Sequence, residues 1–300
     1  VVVSDWDGGI RFGEPHTVIN AGVDIAMQPG NHDEFMTKLK ASVLDETVPM
    51  SRIDDAVRRI LTMKFNLGLF VDPYAKKEFA ESVGSAAHRA VARQAVRESL
   101  VLLKNDNDAL PLSSSESIAV VGSHGNNSGL QSGGWSVHWQ GQTESYRGAT
   151  TILDGIKAQG TQVEYAEHGC YPSMPASKAV VVVGESPYAE GAGDSDELWL
   201  SDAHKKLIAG CKNLDKKVIV ILISGRVLAI SEDLDNSDAF IAAWLPGSEG
   251  AGVADFLFAI DGFKPTGKSP YSWPMAVTDI PLAPDADHAL FKFGYGLQEY

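Results

Sequence analysis

The chain has 300 residues, 44% hydrophobic and 21% charged, the make-up of an ordinary globular protein with material for about two domains. Its net charge of −14 argues against a nucleic-acid partner, because such binding rests on Lys and Arg neutralising phosphates. Apolar runs such as the one at 218–223 are strand-sized and far short of the roughly 18 residues of a membrane helix.

Val1-Val2-Val3 reads as a short buried parallel strand, with Asp5 just beyond its carboxyl end, where α/β folds carry their chemistry. Trp6 sets a flat apolar plate beside that carboxylate. The pair suits a sugar: an oxygen nucleophile for the anomeric carbon and a ring for the pyranose face. The same residues also read as a capping Asp with a core Trp. Residues 21–27 form a second apolar run with little alternation, as expected of a strand buried on both faces. Phe35, Met36, Leu39 and Val43 recur at helical spacing over 33–44. After Pro49, Ser51 reads as the cap of a further helix with Asp54 three residues on. Ile53, Ala56, Val57, Ile60 and Leu61 form its apolar stripe, and Gly68 suits its end.

Residues 71–98 read as a connector, with a turn at Asp72-Pro73-Tyr74 and a helix from Ala86 whose Arg89, Arg93 and Arg97 form a solvated face. Beyond it, strands are expected at 101–103, 118–121, 162–166, 179–183, 218–223 and 239–244. Helices are expected at 151–159, 202–212 and 250–259. Such alternation predicts an open, mostly parallel sheet with helices on both faces. These sheets bind ligands beyond the carboxyl ends of their strands, which places 122–141 and 184–194 on one rim. Gly122-Ser123-His124-Gly125 follows a strand but lacks the spacing of a dinucleotide loop. Asp54-Asp55 and Asp194 with Asp196 lack the spacing of a calcium loop, so neither a metal nor a cofactor is expected. Cys170 and Cys211 are too few for a disulfide framework and read as two free or buried thiols.

A set of motifs runs along the chain in a fixed order. It comprises Ser4-Asp5-Trp6, Gly22-Val23-Asp24, Ser51-Arg52-Ile53-Asp54-Asp55, Gly133-Gly134-Trp135, Trp139-Gln140-Gly141, Ser224-Gly225-Arg226, Trp244-Leu245-Pro246-Gly247 and Phe293-Gly294-Tyr295-Gly296. This resembles glycoside hydrolase family 3, and within it the exo-β-glucanase and β-glucosidase branch. Val227 stands where that family usually has Pro, and Ser132 where it often has Cys.

The resemblance implies the end of a (β/α)8-type barrel over 1–70, the connector over 71–98, and an αβα sandwich over 99–300. It implies that most of the barrel lies upstream of Val1. The residue-level implications are Asp5 as nucleophile and Glu190, in the loop after Gly184-Glu185-Ser186-Pro187-Tyr188, as acid/base. Glu185 falls to an orienting or loop-anchoring role. Trp6 and Trp139 would clamp the aglycone sugar, with Trp135 beside them, although all three tryptophans also fit simple core packing. The expected substrate is a β-glucan or gluco-oligosaccharide cleaved with retention, and the expected location periplasmic or secreted. The segment alone is expected to be inactive, since the family builds its donor-sugar pocket largely before the nucleophile. Other readings are a non-catalytic remnant, a β-xylosidase or an N-acetylglucosaminidase of the same family.

Overall fold

The computed structural model describes residues 1–11 and 13–300, which form two compact units, Val1–Glu81 and Ser82–Tyr300.

Among the described residues, the first unit holds three α-helices, α1 (Pro15–Asn20), α2 (His32–Leu44) and α3 (Met50–Asn66). Ile19, Phe35 and Val48 are its small buried core. The expected strand at Val1-Val2-Val3 is not one: a single parallel bridge joins Val3 to Ile25. The three valines stay roughly half exposed, at 45%, 52% and 52%. An apolar run becomes a ladder only where a neighbouring strand answers its peptide groups, and within this unit the neighbour is one short stretch around Ile25. The cap assigned to Ser51 is also corrected. The helix starts at Met50, with Pro49, two residues before Ser51, in extended conformation as its N-cap, so Ser51 lies inside the first turn. At the N-cap a proline gives up no helical hydrogen bond, because the N–H it lacks lies outside the helix's own ladder. At the other end Gly68 takes φ +70 just beyond the last turn, as its place in the sequence suggested.

The second unit is built on one six-stranded sheet. Its strands are β1 (Val101–Asn105), β2 (Ser117–Val121), β3 (Gln162–Ala166), β4 (Lys178–Gly184), β5 (Lys217–Ile223) and β6 (Ala239–Trp244), in the order β1-β6-β5-β4-β2-β3. Every pairing is parallel except β1 with β6. Side chains alternate faces along each strand. Val180, Val182, Ile219, Ile221 and Ile223 therefore enter one core, with residues of α4 (Ala86–Ser99), α5 (Ile152–Lys157) and α8 (Gly250–Leu257). Val181, Val183, Val218, Val220 and Leu222 enter the other, with α6 (Asp202–Lys212) and α7 (Ser231–Asp235). This is the mostly parallel αβα sandwich read from the sequence.

Two expectations for this unit need correction. The arginines of α4 are not a solvated face. Arg93 grips Asp255 of α8 through two hydrogen bonds of 2.6 Å, Arg89 pairs with Glu249 at 2.9 Å, and Arg97 lies 4.6 Å over the Phe263 ring. Spacing alone cannot tell a charged stripe that faces water from one that faces buried carboxylates. The cysteines are also not thiols: Cys170 and Cys211 form a disulfide with Cα atoms 5.0 Å apart. They are separated by 41 residues, and only the packing of α6 against the sheet brings them together.

The Arg93–Asp255 pair is asymmetric, since the Asp255 side chain is 3% exposed and that of Arg93 43%. Removing the arginine strands a buried carboxylate, whereas removing the carboxylate leaves a guanidinium that water can reach. Urea denaturation should therefore show Arg93→Met costing about 2 kcal/mol and Asp255→Asn about 1 kcal/mol or less. A second measurement concerns Asp233 in α7, which is buried, with Oδ2 lacking a hydrogen-bond partner; burial pushes its carboxyl up to about 6. Ionising it in the fold is unfavourable, so its contribution to stability improves as pH falls from about 6 to about 4, where the unfolded group also binds its proton. Asp233→Asn should raise the melting temperature at pH 7, and this gain should vanish near pH 4.

Candidate active site

Asp5 sits in the turn that follows the Val3–Ile25 bridge. Ser4 N donates to Ile25 O at 2.9 Å, and Met27 N to Ser4 Oγ at 2.8 Å, so this turn is laced to the second apolar run. Below it, the Asp24 carboxylate accepts from Val2 N at 2.9 Å and from Arg52 Nη2 at 2.7 Å. Arg52 also donates to Ile19 O at 2.9 Å and Val23 O at 3.1 Å. The Arg52 guanidinium, then the Val2 N–H, hold the Asp24 carboxyl below the usual carboxylate range. This Arg52–Asp24 link explains two of the sequence motifs whose roles were open: they fix the backbone that carries Asp5. The Asp5 carboxylate accepts from Trp6 N at 2.7 Å through Oδ1. Asp5 is exposed and borders an open depression of about 360 Å³ shared with Thr17, Val18 and Val23. Trp6 is 61% exposed, so it is a surface plate and not a core residue of this unit.

In the second unit the parallel strands deliver their next residues to one rim: Gly122 after β2, Glu185 after β4, Ser224 after β5 and Leu245 after β6. The sheet order turns back at β2 and β4, the place where doubly wound sheets leave a crevice. Here His124 fills it. Its Nε2 lies 3.2 Å from Glu185 O, and burial pushes the imidazole down to about 4. A carbonyl only accepts, so the ring is neutral with its proton on Nε2.

The loop from Glu185 to Asp194 rises from that rim. The Glu185 carboxylate takes two bonds from Arg226, at 2.9 Å from Nε and 2.7 Å from Nη2, and one from Tyr188 OH at 3.2 Å. The Arg226 guanidinium also lies 4.5 Å over the Tyr188 ring. Burial, then the Glu185 charge, pushes the Tyr188 phenol up to about 12. Gly193 closes on that ring, where a Cβ would stand 2.3 Å from Tyr188 Cδ2. Glu185 is thus a structural anchor of the loop.

Glu190 stands at the crest, exposed, with φ +48. A left-handed conformation at a residue with a Cβ costs on the order of 1 kcal/mol and persists where the surroundings impose it. Those surroundings are the segment 133–142. Gln140 Oε1 accepts from Ala189 N at 2.8 Å, Gly134 N donates to Tyr188 O at 3.1 Å, and Trp139 Nε1 donates to Glu190 Oε1 at 3.3 Å. Trp135 and Trp139 lie with ring centres 6.3 Å apart, and both are exposed, at 70% and 54%. Two residues before this segment, Gln131 ties the chain to its neighbours. Fully buried, it bonds Thr150 O and Gly247 O through its amide nitrogen, and its oxygen accepts from Ile152 N.

The structure thus brings Glu190, Trp139 and Trp135 together in the second unit, and Asp5 and Trp6 together in the first. Sequence reasoning gave no role to Arg52, Asp24, Gln131 or His124. A signal existed for the first two, since an Arg and an Asp both lie in ordered motifs, but their partnership is tertiary. Among the described residues, no group of three or more His, Cys, Asp or Glu gathers as a metal site, and no helix is long and apolar enough to cross a membrane.

Residues 100–299 match the glycosyl hydrolase family 3 C-terminal domain. The chain is 29% identical, over 93% of its length and 44% of the relative's, to the periplasmic β-glucosidase of Salmonella typhimurium. Among solved structures it is similar to a variant of the exo-1,3/1,4-β-glucanase from a Pseudoalteromonas species, with TM-score 0.91 and 39% identity over 99% of this chain and 52% of that one. It also resembles a variant of the Listeria innocua β-glucosidase in complex with laminaribiose, with TM-score 0.86 and 25% identity over 99% of this chain and 47% of that one. The chain therefore spans about half the length of the relatives it matches. The chain belongs to glycosyl hydrolase family 3.

Proposed function

We propose that this chain is the carboxyl-terminal part of a retaining exo-β-glucosidase, with Asp5 as nucleophile and Glu190 as acid/base. The observation that carries the reading is the Trp139–Glu190 pair: a carboxylate and an exposed ring side by side on the rim, in a loop pinned at both ends. Residues 1–70 serve as the end of a barrel, 71–98 as the connector and 99–300 as the sandwich. The exposed faces of Val1, Val2, Val3, Met27 and Phe65 support a partner segment covering the first unit, which the upstream barrel would supply. The donor-sugar pocket would lie largely in that segment.

The chemistry needs two carboxyl groups about 5 Å apart across the scissile bond. One Asp5 oxygen already accepts from Trp6 N, so the other attacks the anomeric carbon. As the bond to the aglycone oxygen breaks, Glu190 gives that oxygen its proton. A glucosyl ester on Asp5 remains. Glu190, now a carboxylate, takes a proton from water, the water oxygen attacks the same carbon, and Asp5 is released. Two inversions give retention. While Asp5 is ionised it favours the proton on its partner; once it is esterified that charge is gone and the partner can serve as base.

Trp139, with Trp135 beside it, offers the aglycone glucosyl a ring face in the second unit, and Trp6 offers a ring in the first. Ring faces read shape more than hydroxyl position, so the site would accept β-1,3- and β-1,4-linked glucose. A periplasmic or secreted location is supported by the Salmonella relative and by the Cys170–Cys211 disulfide, which persists in oxidising compartments.

Leaving-group dependence tests the assignment, in the enzyme that joins this chain to a complete barrel. Glu190→Ala should slow laminaribiose strongly and leave the glycosylation step of a dinitrophenyl glucoside nearly unchanged, with azide accelerating turnover to β-glucosyl azide. A 2-fluoro glucosyl donor should label Asp5. No azide effect, with all substrates slowed alike, would remove Glu190 from the role. Trp139→Ala should weaken laminaribiose use by about 1–3 kcal/mol, by analogy with base stacking on aromatic side chains. Aryl glucosides should suffer less, and equal losses on both would indicate packing instead.

A further inference from the structure

We propose that Arg226 is the positioning residue of the acid/base loop: a single guanidinium ties both ends of residues 185–193 and thereby sets where Glu190 stands. The inference rests on the assignment of Glu190 above and goes beyond it by naming what holds that group in register.

The loop carries two glycines, the residue type that restricts the backbone least. Gly191 and Gly193 both follow the crest residue Glu190, and a Cβ on Gly191 would meet nothing within 4 Å. Such a segment would be mobile if only its chain ends were fixed. Arg226 removes that freedom with all three of its nitrogens. Nε and Nη2 grip Glu185 Oε1 at the loop's start, at 2.9 and 2.7 Å, and Nη1 donates to Gly193 O at its end, at 2.7 Å. The guanidinium plane, 4.5 Å over Tyr188, occupies the space within. Tyr188 OH returns to Glu185 Oε2 at 3.2 Å, which closes the ring of contacts.

Arg226 itself is well placed to be rigid. It follows β5 by three residues, and its carbonyl accepts from Ser224 Oγ at 2.7 Å. Ser224 N in turn donates to Trp244 O at 3.1 Å. The loop is therefore referenced to the sheet through the end of the neighbouring strand. A planar fork that also stacks on a ring is what Arg supplies and Lys does not, because an ammonium is a point charge on a flexible stem. The same geometry accounts for Glu185. A second carboxylate five residues before Glu190 looks like a competing acid, yet its oxygens are engaged by Arg226 and Tyr188.

The test uses the enzyme joining this chain to a complete barrel, with Arg226→Lys beside Glu185→Gln and a Glu190→Ala control. Arg226→Lys should lower kcat on laminaribiose on the order of 100-fold, the effect of displacing a catalytic group by about 1 Å. KM should hold, and the glycosylation rate of a dinitrophenyl glucoside should change by less than about threefold. Glu185→Gln keeps an acceptor for Arg226 and should retain most activity on both substrates. Amide exchange on the 300-residue chain gives a readout independent of catalysis. Arg226→Lys should raise exchange across 186–193 and leave β4 and β5 protected. Loss of protection in both strands would make Arg226 a residue of the fold and overturn the proposal. So would Arg226→Lys slowing all substrates alike, or none, while Glu190→Ala behaves as an acid/base variant. Acid-dependent loss in Glu185→Gln would make Glu185 the acid and overturn it too. If Glu190→Ala shows neither leaving-group dependence nor azide rescue, the assignment of Glu190 fails first and this inference falls with it.

Discussion

Strands β4 and β5 are buried along almost their whole length, so their peptide groups can be satisfied only by each other and by the strands beside them. A buried peptide group without a partner would cost about as much as a lost hydrogen bond, so every polar demand of the segment must be met inside the ladder. That requirement fixes the register Val180 to Ile219, Val182 to Ile221 and Gly184 to Ile223. It also means that β4 and β5 end together. Glu185 and Arg226 emerge within reach of each other because the strands beneath them cannot slip without exposing or burying the wrong face.

The candidate site inherits this precision and adds to it with charge. At the rim the environment changes from wholly apolar to half-exposed, and the groups found there come in complementary sets. A guanidinium meets a carboxylate and a ring. A neutral imidazole meets a carbonyl. An indole N–H meets Glu190. Each contact joins two segments distant in sequence, and together they hold a backbone conformation that Glu190 would not adopt alone. In the first unit the same logic appears once, in Arg52 reaching across to Asp24 and to the carbonyls of Ile19 and Val23. In both units an arginine that touches none of the proposed reacting atoms organises the backbone that carries one.

Much of the sandwich was legible in the sequence. Continuous β-branched runs such as Val180-Val181-Val182-Val183 have one stable home, the middle of a parallel sheet, and helices between such runs have no choice but to cover its faces. Helix α6 and strands β3 and β6 stand where the spacing put them. The first unit was less legible for a physical reason. Val1-Val2-Val3 has the composition of a buried strand, but burial needs neighbours, and a local pattern carries no information about whether they are present. The arginines of α4 misled in the opposite sense, because a basic stripe on a helix looks the same whether it faces water or Asp255. Of the candidate site, the motif positions of Asp5, Trp139 and Glu190 came from resemblance. Their local chemistry, from the positive φ of Glu190 to the bonds of Gln131 with Thr150, Gly247 and Ile152, depends on contacts between loops that no single stretch encodes.

The link between Cys170 and Cys211 has a bearing on how the sheet is wired. The connections from β4 to β5 and from β5 to β6 each carry a helix that presses the crossover onto the sheet. The passage from β3 to β4 spans residues 167–177 without one, and it must step over β2 to arrive. The covalent cross-link tacks this bare crossover to α6, the helix of the next connection. By the chain-entropy account, closing a loop of this length removes on the order of 4 kcal/mol of freedom from the unfolded chain. The crossover that delivers β4 to the interior of the sheet is thus held by a bond made in maturation, where the two connections that follow it rely on a packed helix.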